Sequence, residues 1–130
     1  MSAYTAKEIG DRGEQIAVHY LRLRGYTVKK RNYRAGKYEI DIVASTWTDL
    51  VFVEVKTRTC KKEEIEILPP PKHAVDADKQ KFTRSAARQY LYEHPTKKRP
   101  RMDVIEIWLS PAEHGKKQKL LKLNHIKAAY

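Results

Sequence analysis

A chain of 130 residues has the size of one ordinary domain and can bury a single sizeable core. Lys and Arg outnumber Asp and Glu by 27 to 16, a net charge of +11, which points to a polyanionic partner, nucleic acid above all, or simply to solubility. The lone cysteine, Cys60, excludes a disulfide scaffold, and no segment approaches the roughly eighteen apolar residues of a membrane span.

The N-terminal MSAYTAKEIG has no apolar run of a secretory signal, so a soluble cytoplasmic protein is expected. Thr5 and Glu8 have capping-box spacing and open a first helix. Ile9, Gly13, Ile16, Ala17, Tyr20 and Leu23 then recur on one helical face, and Gly25 stops it. Tyr26–Tyr33 reads as a strand, followed by stronger strands at Tyr38–Ala44 and Leu50–Thr59. Cys60–His73 holds prolines at 69–71, which exclude a helix or central strand there. It reads as an exposed loop, with a short edge strand at Ile65–Leu68. Asp76 caps a second helix to about Glu93, with Phe82, Ala86 and Tyr90 inward. Thr96–Arg101 is a basic turn, Met102–Leu109 a fourth strand, and Leu120–Asn124 a fifth, followed by a turn or helix at His125–Tyr130. The order α-β-β-β-α-β predicts an α/β fold with a mixed central sheet flanked by helices, in one domain over residues 1–130. No internal repeat or low-complexity linker interrupts it.

The second and third strands pose a chemical question. Centring their turn between Trp47 and Thr48 places Ile40, Ile42 and Ala44 opposite Val55, Val53 and Val51, an apolar face. On the other face Val43 opposes Phe52, Asp41 opposes Glu54 and Glu39 opposes Lys56. Two carboxylates about 5 Å apart repel unless a cation stands between them. A divalent metal would serve, as would Lys56 or Arg58. An ordinary solvated face is the other reading.

Phosphodiester hydrolysis needs a neutralised phosphate and an activated water, and Mg2+ held by carboxylates supplies both. A lysine two residues after the glutamate points the same way and can polarise the water. Asp41 with Glu54-Val55-Lys56 has this form. It resembles the catalytic core of the restriction-endonuclease-like, PD-(D/E)xK, superfamily, whose αβββαβ order is similar. Gly13-Glu14, Arg31-Asn32-Tyr33-Arg34, Glu39-Ile40-Asp41, Phe52–Arg58, Ala74-Val75 with Lys79, and Met102–Ile105 further resemble the YraN-like family, bacterial proteins regarded as endonucleases by inference. The likeness runs from about Ile9 onward. Ile40 stands where the superfamily has proline, and Tyr38 where the family usually has glycine.

The resemblance implies a metal-dependent nuclease acting on DNA, branched or single-stranded forms included. Asp41 and Glu54 would bind Mg2+ or Mn2+, and Lys56 would orient or activate water. Glu14, which has no i,i+4 ion-pair partner because positions 10 and 18 are Gly and Val, would be an auxiliary group, as would Glu39. Lys79 and Gln80 open the second helix, where phosphate contacts are favoured. Arg31, Arg34, Arg58, Lys61, Lys62, Lys97, Lys98, Arg99 and Arg101 are further phosphate-contact candidates, and each also reads as an ordinary surface residue. Asp103, among core residues, reads as structural. The five histidines lack zinc spacing, and no phosphate-binding glycine loop or Ser/His/Asp set appears. A non-catalytic nucleic-acid-binding module of the same fold, or an assembly protein with a basic RNA- or protein-binding surface, remains the alternative. Resolvase-like nucleases often pair as homodimers, and nothing in this sequence identifies an interface.

Overall fold

The computed structural model describes residues 5–67, 76–113 and 117–130. Helix α1 spans Ala6–Leu23 and helix α2 spans Ala77–Glu93. The strands are β1 (Thr27–Ala35), β2 (Tyr38–Ser45), β3 (Asp49–Thr59), β4 (Arg99–Leu109) and β5 (Leu120–Ile126). They lie side by side in chain order in one sheet. Only β3 and β4 run parallel, joined through α2, while the other neighbours are antiparallel. The α1 side buries Ala17, Leu21, Ile42, Val53, Ile105 and Ile107. The α2 side buries Val43, Phe52, Ala86, Tyr90 and Met102. The result is a mixed five-stranded sheet between two helices, the expected α/β class and consistent with a restriction-endonuclease-like core.

Local signals account for the helix ends. Thr5 and Glu8 form the reciprocal capping box, each side chain taking the other's backbone N–H at 3.1 Å. Asp76 caps α2 through Lys79 N–H at 2.8 Å. Gly25 takes φ +88°, a left-handed turn that leads α1 into β1.

The hairpin ladder pairs Ile42 with Val53, Val43 with Phe52 and Ala44 with Val51, the expected register. It stops at Ile42, however. The expected oppositions of Asp41 with Glu54 and of Glu39 with Lys56 are not made, and Glu39 instead lies across from Arg34 of β1. Ile40 joins Val43 and Phe52 on the α2 side, not Ile42 on the α1 side. Asn32, between the β1 partners of Ile42 and Ile40, adopts φ +52°. This left-handed residue sits beside the point where the alternation of β2 breaks at Asp41.

Other expectations also change. Leu23 is exposed, and Val18 and Leu21 are buried on α1 in its place. Phe82 is partly exposed and stacks on Tyr38, ring centroids 4.8 Å apart. Lys62–Ile67 is a 3-10 helix where the edge strand was expected to start. Leu68, the prolines at 69–71, His73 and Ala74-Val75 lie outside the described residues. Arg99–Arg101 belongs to β4 rather than to a turn. Among the described residues no helix is long and apolar enough to cross a membrane.

Candidate active site

The site begins with a missing side chain. A Cβ on Gly13 would lie 1.8 Å from Thr57 Oγ1, so only glycine lets α1 approach β3 this closely. The next residue, Glu14, is carried over the sheet with its side chain 15 % exposed. With Gly10, Asp41, Val55, Thr57 and Arg58 it lines a cleft of about 470 Å³.

Asp41 stands where β2 and β3 part. Its Oδ2 accepts the Val55 N–H at 2.8 Å, taking over an acceptor role that a strand carbonyl would otherwise fill. Burial pushes its carboxyl up to about 6, the Val55 hydrogen bond opposes this, and the Glu54 charge adds to it. Burial, followed by the Asp41 charge, pushes Glu14 up to about 7 against the opposing pull of Arg31. Burial is the main cause of both shifts.

Glu54 lies on the α2 side, 13 % exposed, with its Oε1 3.1 Å from Lys79 Nζ. Its other oxygen, Oε2, is buried with no hydrogen-bond partner among the described residues. Burial works against the Lys79 ammonium, but the hydrogen bond to Glu54 and the charges of Glu54 and Asp41 outweigh it and raise its pKa. Lys56 follows two residues after Glu54 on β3, half-buried and itself in contact with other groups. Gln80 sits beside Lys79 in the first turn of α2.

Asn32 ties the outer acids together. With its amide nitrogen turned inward it donates to Glu14 Oε1 and Glu39 Oε1, both at 3.1 Å. Arg31 lies 4.0 Å from Glu14, and Arg34 lies 3.6 Å from Glu39. The sequence reading named Asn32 only within a motif and gave it no role. An asparagine inside a strand is itself a signal, since asparagine is depleted there and enriched at left-handed positions.

The structure places Glu14, Glu39, Asp41, Glu54 and Lys79 toward one end of the β2–β3 hairpin, but not on the single face expected: Asp41 lines the cleft under α1 with Glu14, whereas Glu54 lies on the α2 side with Lys79, and Arg31, Arg34 and Arg58 stand around them. It sets Lys97, Lys98, Arg99 and Arg101 at the opposite, turn end. Arg101 is not the phosphate contact expected of it. Its guanidinium, 18 % exposed, is held at 2.8–2.9 Å by Asp103, Asp49 and the Tyr26 hydroxyl. Asp103 is fully buried and accepts as well from Ala128 N–H at 3.0 Å. His125 joins them, with Nε2 2.7 Å from Asp103 and Nδ1 3.0 Å from the Tyr20 hydroxyl. Burial opposes the Asp103 charge, yet His125, Arg101 and Ala128 hold its carboxyl below the usual range.

Among the described residues no three His, Cys, Asp or Glu side chains converge into a ready-made metal centre. Mg2+ does not require one, because it is held by one or two carboxylates and completes its shell with water and phosphate oxygens. The donors here suit such a hard cation: two mutually repelling carboxylates, Asp41 and Glu54, and an unpartnered buried oxygen on Glu54. The residues fit the ion.

Residues 13–107 match the profile of a group described as "Uncharacterised protein family UPF0102". A UPF0102 protein of Caldanaerobacter subterraneus is 37 % identical over 131 residues, covering 100 % of both chains. One from Alkaliphilus oremlandii is 39 % identical over 127 residues, covering 95 % of this chain and 98 % of the relative. One from Porphyromonas gingivalis is 42 % identical over 101 residues, covering 78 % of this chain and 71 % of the relative.

Proposed function

The chain belongs to the uncharacterised protein family UPF0102, and we propose that it is a cytoplasmic, metal-dependent endonuclease of the PD-(D/E)xK, YraN-like kind, hydrolysing phosphodiester bonds of DNA. The observation that carries this reading is that Asp41, Glu54 and Glu14 stand half-buried near the parted end of the hairpin, with one Glu54 oxygen lacking a hydrogen-bond partner among the described residues.

Asp41 and Glu54 would hold Mg2+ or Mn2+. Bound there, the ion would neutralise the scissile phosphate and make an attacking water more acidic. Lys56, on the Glu54 side of β3 by strand alternation, orients that water and meets the charge developing on the phosphate. Glu14 supports the arrangement from α1, where burial and the Asp41 charge raise its pKa. Arg31 and Arg58 border the cleft, where they can meet phosphates flanking the reacting one.

One observation favours a second reading, a DNA-binding module without catalysis. Lys79 already meets Glu54, as suits a protein that holds no metal. Single-turnover cleavage with Mg2+ or Mn2+ over double-stranded, single-stranded and branched DNA, and over RNA, decides between them. Cleavage by the wild type that disappears in Asp41→Asn supports the nuclease. Binding without cleavage of any substrate favours the module. Cleavage that survives Asp41→Asn places the chemistry elsewhere.

A further inference from the structure

The end of the sheet away from the acids presents Trp47 at the tip of the β2–β3 turn, 96 % exposed. Leaving the largest apolar side chain in water gains nothing for the fold, and a fixed aromatic face is a common means of gripping a partner. The turn is fixed. Thr46 Oγ1 takes the Asp49 N–H at 3.0 Å, Lys98 Nζ donates to Thr46 O at 2.7 Å, and Arg99 N–H donates to Thr48 O at 2.9 Å. The backbone on either side of Trp47 is thus tied to Lys98 and Arg99.

Beside this turn is a cavity of about 300 Å³ lined by Lys29, Ser45, Tyr90, His94, Thr96 and Lys98. Lys29 is the extra residue of a bulge, where the β1–β2 register shifts between Val28 and Lys30. Bulges re-aim side chains, and this one brings a second ammonium to the cavity. Asp49, the acid of the turn, is matched by Arg99 at 3.4 Å and by Arg101 at 2.9 Å. Positive charge, hydroxyls and one unpartnered aromatic face therefore share a small surface.

We propose that this surface docks an unpaired DNA strand, with a base stacked on Trp47 and the backbone phosphates on Lys29, Lys97 and Lys98. Stacking needs a free base face, which a blunt duplex conceals along its length, whereas cationic grooves with stacking aromatics bind single strands. The inference rests on the nuclease reading for its consequence. Along β3, Glu54 lies about 17 Å from the turn at Asp49, five residues at ~3.4 Å each. That distance spans about five nucleotides of a strand stacked at ~3.4 Å each, and fewer of an extended one. Substrates with an unpaired segment of that length beside the scissile bond would thus engage both ends.

Tryptophan emission in metal-free, low-salt buffer is the test, because the other tryptophan, Trp108, is buried and serves as an internal reference. A short oligo(dT) should quench the emission saturably and a blunt duplex should not. Trp47→Ala should raise the oligo(dT) Kd about tenfold relative to that for duplex. Trp47→Phe should recover most of the loss, and Lys29→Glu should weaken oligo(dT) further. If labelled oligo(dT) binds wild type and Trp47→Ala equally and leaves emission unchanged, the docking site is wrong while the nuclease reading stands. If the quenching and the Trp47→Ala loss appear but no substrate is cut, the docking site stands and the nuclease reading falls. Tighter binding of oligo(U) than of oligo(dT) would overturn the assignment to DNA, and no binding of either would remove the site.

Discussion

Asp41 Oδ2 lies 2.8 Å from the backbone nitrogen of Val55, just beyond the last rung of the β2–β3 ladder. One carboxylate thus both ends a hairpin and stands in a cleft with Glu14. An asparagine there can still accept the Val55 N–H, so charge and architecture can be separated. Asp41→Asn and Glu54→Gln should keep the fold and lose nearly all single-turnover cleavage. Metal-free DNA binding should hold or strengthen, since each removes a negative charge. Lys56→Ala should also stop cleavage yet leave Mg2+-induced stabilisation in place. Equal cleavage by wild type and Glu54→Gln would exclude Glu54 as a ligand.

Lys79 and a bound cation would compete for the same carboxylate, Glu54. Lys79→Ala should cost about 1–2 kcal/mol in metal-free protein, between the values for an exposed and a buried pair, because Lys79 is half exposed and Glu54 is not. Added Mg2+ should then raise Tm more in Lys79→Ala than in wild type. Equal shifts in thermal melts would show that the ion and the lysine do not share Glu54.

Gly13→Ala tests the approach of α1 to β3. A methyl 1.8 Å from Thr57 Oγ1 forces one element to move, a strain on the order of 1–3 kcal/mol or more. Thr57→Ala removes the two nearest side-chain atoms except Cβ, so the double variant should recover part of the loss in denaturant melts. Additive losses would mean that the two residues do not collide.

The raised acids set a pH dependence with a definite sign. Asp41 moves from 3.8 to about 6, and Glu14 from 4.5 to about 7. Between pH 4 and 7 the folded protein therefore binds more protons than the unfolded chain, and stability falls as pH rises through that window. Asp103 and Glu93, whose values are lowered, oppose this only at more acidic pH. Metal-free Tm should decline from about pH 4.5 to 7.5, and less steeply in Glu14→Gln and Asp41→Asn. A rising or flat wild-type profile would contradict the burial argument.

Much of this architecture could be read from short-range pattern. Thr5 with Glu8, and Asp76 with Lys79, are local caps whose partners lie within one turn. The pairing of Ile42–Ala44 with Val51–Val53 follows from alternation about a short turn. Ile40 escaped because the alternation of β2 breaks at Asp41, opposite the left-handed Asn32 of β1. The Lys79–Glu54 pair and the Arg101–Asp49 pair escaped because their members are far apart in sequence, and only the folded sheet and α2 bring them together. Composition marked Arg101 as one more basic residue, and burial makes it part of the interior. Spacing placed Asp41 and Glu54 opposite each other on one face; the parting of the strands that instead turns Asp41 toward Val55 and the α1-side cleft has no sequence periodicity to announce it.

The network around Asp103 also bears on how the chain is made. Asp103 is fully buried, and one of its partners, His125, arrives only with β5, where it also meets Tyr20 of α1. During synthesis, a nascent chain that has emerged only as far as Glu106 has α1, β1, β2, β3 and α2 but lacks the imidazole that Asp103 requires in the interior. Arg101 can pair with that carboxylate from the outset, but burying it before β5 arrives would leave it without the His125 and Ala128 hydrogen bonds, a cost that falls on the early compact state. The ribosome-bound intermediate should therefore be more protease-sensitive before β5 clears the exit tunnel than after it.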